Sequence, residues 1–231
     1  MWALGMAQEP AQLPDNTPPK GFVALFNGKD LTGWRADEEA KKHWVVHDGI
    51  IDYDGKHKDL WTEKSFRDFV LMVSWRFPGP AREMERPIIL PSGDYDIDPA
   101  TGRQKTVKVL DAGDSGIYLR GNSKSQINIW CWPVGSGEIY GYRTDPKMPP
   151  EVRRGATPKQ RADKPIGQWN TFIITMRGER VTVVLNGVTV IEECPLPGVP
   201  PEGPIALQHH GDPIQFKNIY IRELPSPEAK G

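Results

Sequence analysis

Residues 170–191, NTFIITMRGERVTVVLNGVTVI, decide the fold. Phe172, Ile174 and Met176 recur at every second position, and Val181, Val183 and Leu185 repeat the pattern after the Arg177-Gly178 break. Successive side chains of a strand point to opposite faces, so a period of two marks one buried face. Asn186-Gly187 then separates VTVVL from VTVIE. A type I′ turn needs positive φ at both central residues, and Asn-Gly is the pair that supplies it, so a tight hairpin is predicted here. Phe69-Leu71-Val73-Trp75 carries the same period, and Asn27-Gly28 and Asp48-Gly49 mark two more turns by the same chemistry. Short strands punctuated by turns imply a β-sandwich or barrel. No window of a dozen residues shows sustained helical periodicity free of Pro and Gly, which leaves room for short helical turns near Glu38–Lys42.

Composition agrees with that class and excludes others. The 231 residues suit one all-β domain. Lys and Arg (29) balance Asp and Glu (30), which removes the positive excess that drives binding to nucleic acids or anionic membranes. No run of about 18 apolar residues is present to span a membrane. Ala3-Leu4-Gly5-Met6-Ala7 resembles the end of a truncated export signal, and Pro10, Pro14, Pro18 and Pro19 make residues 8–20 an extended linker. The expected organisation is a leader remnant and linker over 1–20, one domain over 21–224 and a polar tail over 225–231. Cys131 and Cys194 are expected to be unpaired, partly buried thiols.

Two segments interrupt the strand pattern. Residues 78–113 form a Pro/Gly-bounded insertion in which IIL (88–90) is expected to pair with VKVL (107–110). Residues 143–166 are too Pro-rich and polar for a strand, and a loop of this length is expected near the mouth of a site.

Alternation also separates the faces of three strands. In SGIYLRG (115–121), Ile117 and Leu119 oppose Tyr118 and Arg120. In QINIW (126–130), Ile127 and Ile129 oppose Gln126, Asn128 and Trp130. In IALQHHG (205–211), Ile205 and Leu207 share a side with His209, leaving Gln208 and His210 on the other. A merely solvated face would carry Lys, Glu and Thr. Amide, guanidinium, imidazole and indole groups suit a sugar, whose hydroxyls pair with the polar groups and whose C–H face lies on an aromatic ring. Glu138 joins the candidates as a carboxylate flanked by Gly137 and Gly141, with Arg143 as its alternative partner.

Sharper motifs fail on their surroundings. Gly113-Asp114-Ser115-Gly116 spells a serine-protease nucleophile tetrapeptide, but Ile117 breaks the pattern. His43 and His47 flank a strand-like Trp44-Val45-Val46, whereas metal-binding pairs four apart need a helix. Asp94, Asp96 and Asp98 imitate a calcium loop, yet Pro99 stands where Gly is required.

Eight segments in order resemble the 3-keto-disaccharide hydrolase domain: LFNGKDLTGW (25–34), WVVHDGIID (44–52), LWTEKSFRDFVLMVSWR (60–76), DSGIYLRG (114–121), IGQWNTFIITMRG (166–178), VVLNGVTV (183–190), GPIALQHHG (203–211) and FKNIYIREL (216–224). The resemblance implies a concanavalin A-like jelly-roll β-sandwich of two antiparallel sheets, a carbohydrate site on the concave sheet, and export to the periplasm or beyond. Two departures stand out. The family's Glu and Gln after the Arg-Gly turn are replaced by Gln126 and Asn128, and its Leu-Gln-Asp-His-Gly becomes Leu207-Gln208-His209-His210-Gly211.

With that resemblance, the expected activity is cleavage of a 3-keto-glycoside by elimination followed by hydration. His210 is the expected base, Arg120 and Gln208 stabilise the oxyanion, and Glu138 is the acid. Gln126, Asn128, Trp130, Tyr118 and Arg143 are the expected sugar contacts. A divalent cation could serve the oxyanion, although no ligand cluster demands one. The alternative is a non-catalytic carbohydrate-binding module on the same face. A small carbohydrate is the expected partner in either case, and the oligomeric state is left open.

Overall fold

The computed structural model describes residues 14–225; the expected leader remnant at Ala3–Ala7 and the tail beyond Pro225 lie outside them. Along the chain run β1 (Val23–Ala24), α1 (Ala40–His43), β2 (Trp44–His47), β3 (Ile50–Tyr53), β4 (Leu60–Phe66), β5 (Phe69–Arg76), β6 (Arg82–Pro87), β7 (Thr106–Asp111), β8 (Asp114–Leu119) and β9 (Asn122–Trp130). They are followed by α2 (Tyr140–Arg143), α3 (Pro150–Gly155), β10 (Asn170–Arg177), β11 (Arg180–Leu185), β12 (Val188–Pro195), β13 (Gly203–Leu207) and β14 (Ile214–Glu223). One sheet has the order β12-β11-β10-β5-β14-β3-β2 with β1 on β14, the other β4-β13-β8-β9, and β6-β7 form a separate ribbon. Every pairing is antiparallel. The fold is the concanavalin A-like, jelly-roll β-sandwich.

The core lies between the sheets and is built from the alternating residues. Leu71, Val73, Phe172, Ile174, Met176, Val183 and Phe216 come from the larger sheet, and Ile117, Leu119, Ile127, Ile129 and Leu207 from the smaller, all with no exposed surface. Each such side chain contributes about 1.5–3 kcal/mol when removed from water. The β11–β12 hairpin turns at Asn186 and Gly187 with φ of 52° and 84°, and β2–β3 turns at Asp48 and Gly49 with φ of 49° and 74°. Asn27 turns the chain otherwise, its side-chain oxygen accepting the N–H groups of Lys29 and Asp30 at 2.7 and 2.9 Å.

Three expectations are corrected. The described part of the linker is pinned to the sandwich: the Asn16 N–H donates to the Asn218 side chain at 2.6 Å, and Asp15 pairs with Lys217 at 2.6 Å. Cys131 and Cys194 are free, and fully buried rather than partly so. The ribbon partner of VKVL is REMERP (82–87), with Met84 opposite Val109, and not residues 88–90. Charges on both faces of this solvated ribbon erase the period-two signal, and Pro87 and Pro91 confine Ile88–Leu90 to the loop beyond it.

Candidate active site

The smaller sheet carries the polar face. Asp114 and Tyr118 on β8, Gln126, Asn128 and Trp130 on β9, and Gln208 after β13 alternate with the buried aliphatic residues. The segment after β13 is tied to β8 along its length. The Gln208 N–H donates to the Gly116 carbonyl at 2.9 Å, the Ser115 hydroxyl to the Gln208 carbonyl at 2.9 Å, and the Asp114 N–H to Asp212 Oδ2 at 3.0 Å. These bonds set His210 and Asp212 over the sheet.

The result is a cleft of about 330 Å³ lined by Asp114, Gln126, Asn128, Gln208, His210 and Asp212, with Arg86, Trp132 and Tyr140 among the residues that complete it. Gln126 Nε2 donates to Asn128 Oδ1 at 2.6 Å and to Gln208 Oε1 at 2.7 Å. Because both acceptors are oxygens, the amide NH₂ groups of Asn128 and Gln208 are left to other partners. Gly116 makes this network possible: a Cβ there would stand 2.7 Å from the Gln126 side chain. His210 is exposed at the mouth.

Asp114 is the most perturbed acid on the lining. Burial first, then the neighbouring Asp212 and Asp111 carboxylates, push it up to about 7, against the opposing pull of Arg86. Arg86 is held by Asp111 at 2.5 Å and lies over the Trp132 ring at 5.7 Å. Trp132 stacks on Trp130 with centroids 4.1 Å apart and planes within 7°. Trp130 is only 2% exposed and donates its indole N–H to the Gly135 carbonyl, so Trp132 is the more open aromatic of the pair. Tyr118 lies on the same face beside the cleft, tilted against Trp61, and burial pushes its phenol up to about 12.

Four expected site residues do not line this cleft: Tyr118, which stands beside it, and Arg120, Glu138 and Arg143, which lie away from it. Arg120 sits at φ 52° ahead of Gly121 at φ 67°, so the β8–β9 connection is a two-residue turn that breaks the alternation. Its guanidinium is buried at the far end of the sheet, donating to the Arg67, Gly178 and Pro200 carbonyls and to Asp68 at 2.9 Å. Glu138 and Arg143 form a buried pair at 2.5 Å. Arg143 also donates to the Gly93 carbonyl and the Tyr95 hydroxyl, which ties the insertion to α2. Burial pushes Glu138 up to about 7 although Arg143 opposes the shift, and its Oε2 has no hydrogen-bond partner among the described residues. Residues 137–139 extend the sheet along β9, with Asn128 and Glu138 sharing a backbone bond of 2.8 Å. His209 is turned from the cleft, with Nδ1 2.5 Å from the Tyr53 hydroxyl and its N–H on Asp59 at 2.8 Å.

Asp114, Trp132, Arg86, Tyr140 and Asp212 are the lining residues that sequence reasoning missed. The first two carried a usable signal, since Asp114 shares parity with Tyr118 and Trp132 lies two residues beyond Trp130. Arg86 and Asp212 arrive from the ribbon and a loop, where no periodicity announces them. No group of three or more His, Cys, Asp or Glu side chains is placed to hold a metal ion among the described residues. No helix there is long and apolar enough to cross a membrane.

The smaller sheet of the jelly-roll sandwich thus bears a cleft of amide, carboxylate, imidazole and indole groups. Residues 21–222 match the model of the 3-keto-alpha-glucoside-1,2-lyase-like domain, and the chain belongs to that family. It is similar to a 3-keto-disaccharide hydrolase of Bacteroides thetaiotaomicron, with 23% identity across 88% of this chain and 79% of that protein. Two structures from Parabacteroides distasonis, described as candidate glycosyl hydrolases, share the fold. One has a TM-score of 0.61 at 25% identity over 95% of each chain. The other has a TM-score of 0.60 at 20% identity over 92% of this chain and all of that one.

Proposed function

We propose that the chain cleaves the glycosidic bond of a 3-keto-glycoside by elimination and rehydration in this cleft. A ketone at C3 acidifies the C2 proton. His210 takes that proton, and the electron pair moves into the C3 oxygen to form an enolate. Amide NH₂ groups from Asn128 and Gln208 stabilise the oxyanion, a role in which one donor is worth about 3–4 kcal/mol. Collapse of the enolate expels the C1 substituent, and protonated Asp114 supplies the proton to its oxygen. A positioned acid or base of this kind contributes roughly 10²–10⁴-fold. Water then adds to C1 of the enone and a proton returns to C2, which restores the 3-keto sugar. Trp132 offers the aromatic surface for the ring's C–H face.

The observation that carries this proposal is the convergence of His210, a desolvated carboxyl at Asp114 and the Gln126-centred amides on one cleft. Asp114 replaces Glu138 as the assigned acid because Glu138 is walled off by Arg143. A binding module would gain nothing from a carboxyl held near neutrality beside an imidazole. The test is incubation with a panel of disaccharides and their 3-keto derivatives, read by mass spectrometry. Turnover of the 3-keto compounds alone, lost in His210→Ala with the fold intact, is expected. Binding without product from any member of the panel would replace this function with that of a module.

A further inference from the structure

A second cavity, of about 650 Å³, opens at the end of the sandwich between the two sheets. Its floor is core: Trp75, Phe77 and Cys131, each 5% exposed or less, with Trp130 as a wall common to this cavity and the cleft. Val109 and Leu110 of the ribbon form one side, and Leu110 is 65% exposed with its apolar surface left open. The segment 161–168 forms the other side and is fastened down. The Lys164 N–H donates to Asn170 Oδ1 at 2.8 Å, Asn186 Nδ2 to the Ala162 carbonyl at 2.8 Å, and the Gly167 N–H to the Phe77 carbonyl at 3.1 Å. The space is therefore preformed, in the size range of small-molecule sites and with their mainly apolar lining.

Its charge is one-sided. Lys108, Arg161 and Lys164 stand on the lining against a single carboxylate, Asp163. Lys108 is paired with Glu83 at 2.8 Å and Arg161 with Asp163 at 3.7 Å, which leaves Lys164 as the lining cation without an acidic partner among the described residues. The Trp75 indole N–H adds a buried donor without a partner among the described residues. We propose that this cavity is a second ligand site, separate from the sugar cleft, that takes a small aromatic anion: a fused or linked ring system seated on Trp75, Phe77 and Val109, with its carboxylate or sulfonate at Lys164.

The test uses anilinonaphthalene sulfonate as probe and neutral N-phenylnaphthylamine as its uncharged counterpart, titrated by fluorescence into the intact chain with near-ultraviolet circular dichroism to report native packing. Saturable binding of the sulfonate at one site, tighter than that of the neutral compound, is expected. Lys164→Gln should weaken it about two- to fivefold, the scale of one exposed charge pair. Val109→Trp, which fills the cavity from the ribbon, should abolish it. Leu110→Asp, a change at an exposed position that leaves the core alone, should weaken it by repelling the anion. His210→Ala should leave binding unchanged. No saturable binding, equal affinity for the neutral compound, indifference to both ribbon variants, or loss in His210→Ala would each overturn the proposal. The last would place the probe in the cleft and leave the proposed activity untouched.

Discussion

Asp114 concentrates the chemistry at the scale of single residues. Its proton is held to about pH 7 by burial and by two neighbouring carboxylates. As the proposed acid it works only while protonated, so turnover of substrates with poor leaving groups should fall as pH rises through 7. Asp114→Asn should lose about 10²-fold or more against a 3-keto-disaccharide, yet little against a 3-keto nitrophenyl glycoside, whose leaving group needs no proton. Equal loss on both substrates would remove the acid role. The stability effect has a defined sign. An unfolded Asp ionises near 4 whereas the folded one keeps its proton to about 7, so the native state binds the extra proton between those values and loses stability as pH rises across them. Glu138, also raised to about 7, acts in the same direction. Urea midpoints should therefore fall from pH 5 to pH 8, and by less in Asp114→Asn. His210 and Gln208 were legible in sequence because one period-two strand end carries both. Asp114 shares the parity of Tyr118, but the protease-like tetrapeptide and the DSGIYLRG segment that contain it do not mark it as an acid.

Between strands, turn chemistry decides which side chains reach the cleft. Arg120 shows why alternation fails at a strand end: positive φ at two successive residues reverses the chain, and its side chain leaves the face that Tyr118 occupies. Its bonds to three carbonyls and Asp68 tie the β8–β9 turn to the loops around Arg67, Gly178 and Pro200. Arg120→Ala should destabilise the fold by about 3–5 kcal/mol, because Asp68 is left as an unpaired buried charge. Turnover per folded molecule should stay unchanged, as chemical denaturation and active-fraction kinetics would show. Gly116→Ala should do the reverse. Its new Cβ displaces the Gln126 amide and breaks the network across β8 and β9, lowering kcat with a smaller loss of stability. A kcat equal to wild type would separate that network from the reaction. The Asn186-Gly187 hairpin was readable because its turn has a sequence code, whereas an Arg-Gly turn of the same kind has none.

For the whole molecule, two sheets packed through strict alternation leave one polar face, and the ribbon, Trp132, Tyr140 and the segment after β13 complete a cleft on it. The sandwich was readable because its core obeys one local rule repeated in most strands. The partners that close the site were not, because Arg86 and Asp212 reach Asp114 by tertiary placement alone. Residues 143–166, expected at the mouth of a site, border the larger apolar cavity instead through Arg161, Asp163 and Lys164. Glu138 and Arg143 hold the insertion in place and leave the chemistry to groups above them. Elimination and rehydration leave a mark that direct displacement at C1 does not. Cleavage of a 3-keto-disaccharide in deuterium oxide should give a 3-keto sugar carrying deuterium at C2, while substrate recovered part-way stays unlabelled there. Product free of deuterium at C2 would contradict proton abstraction by His210 as the first step.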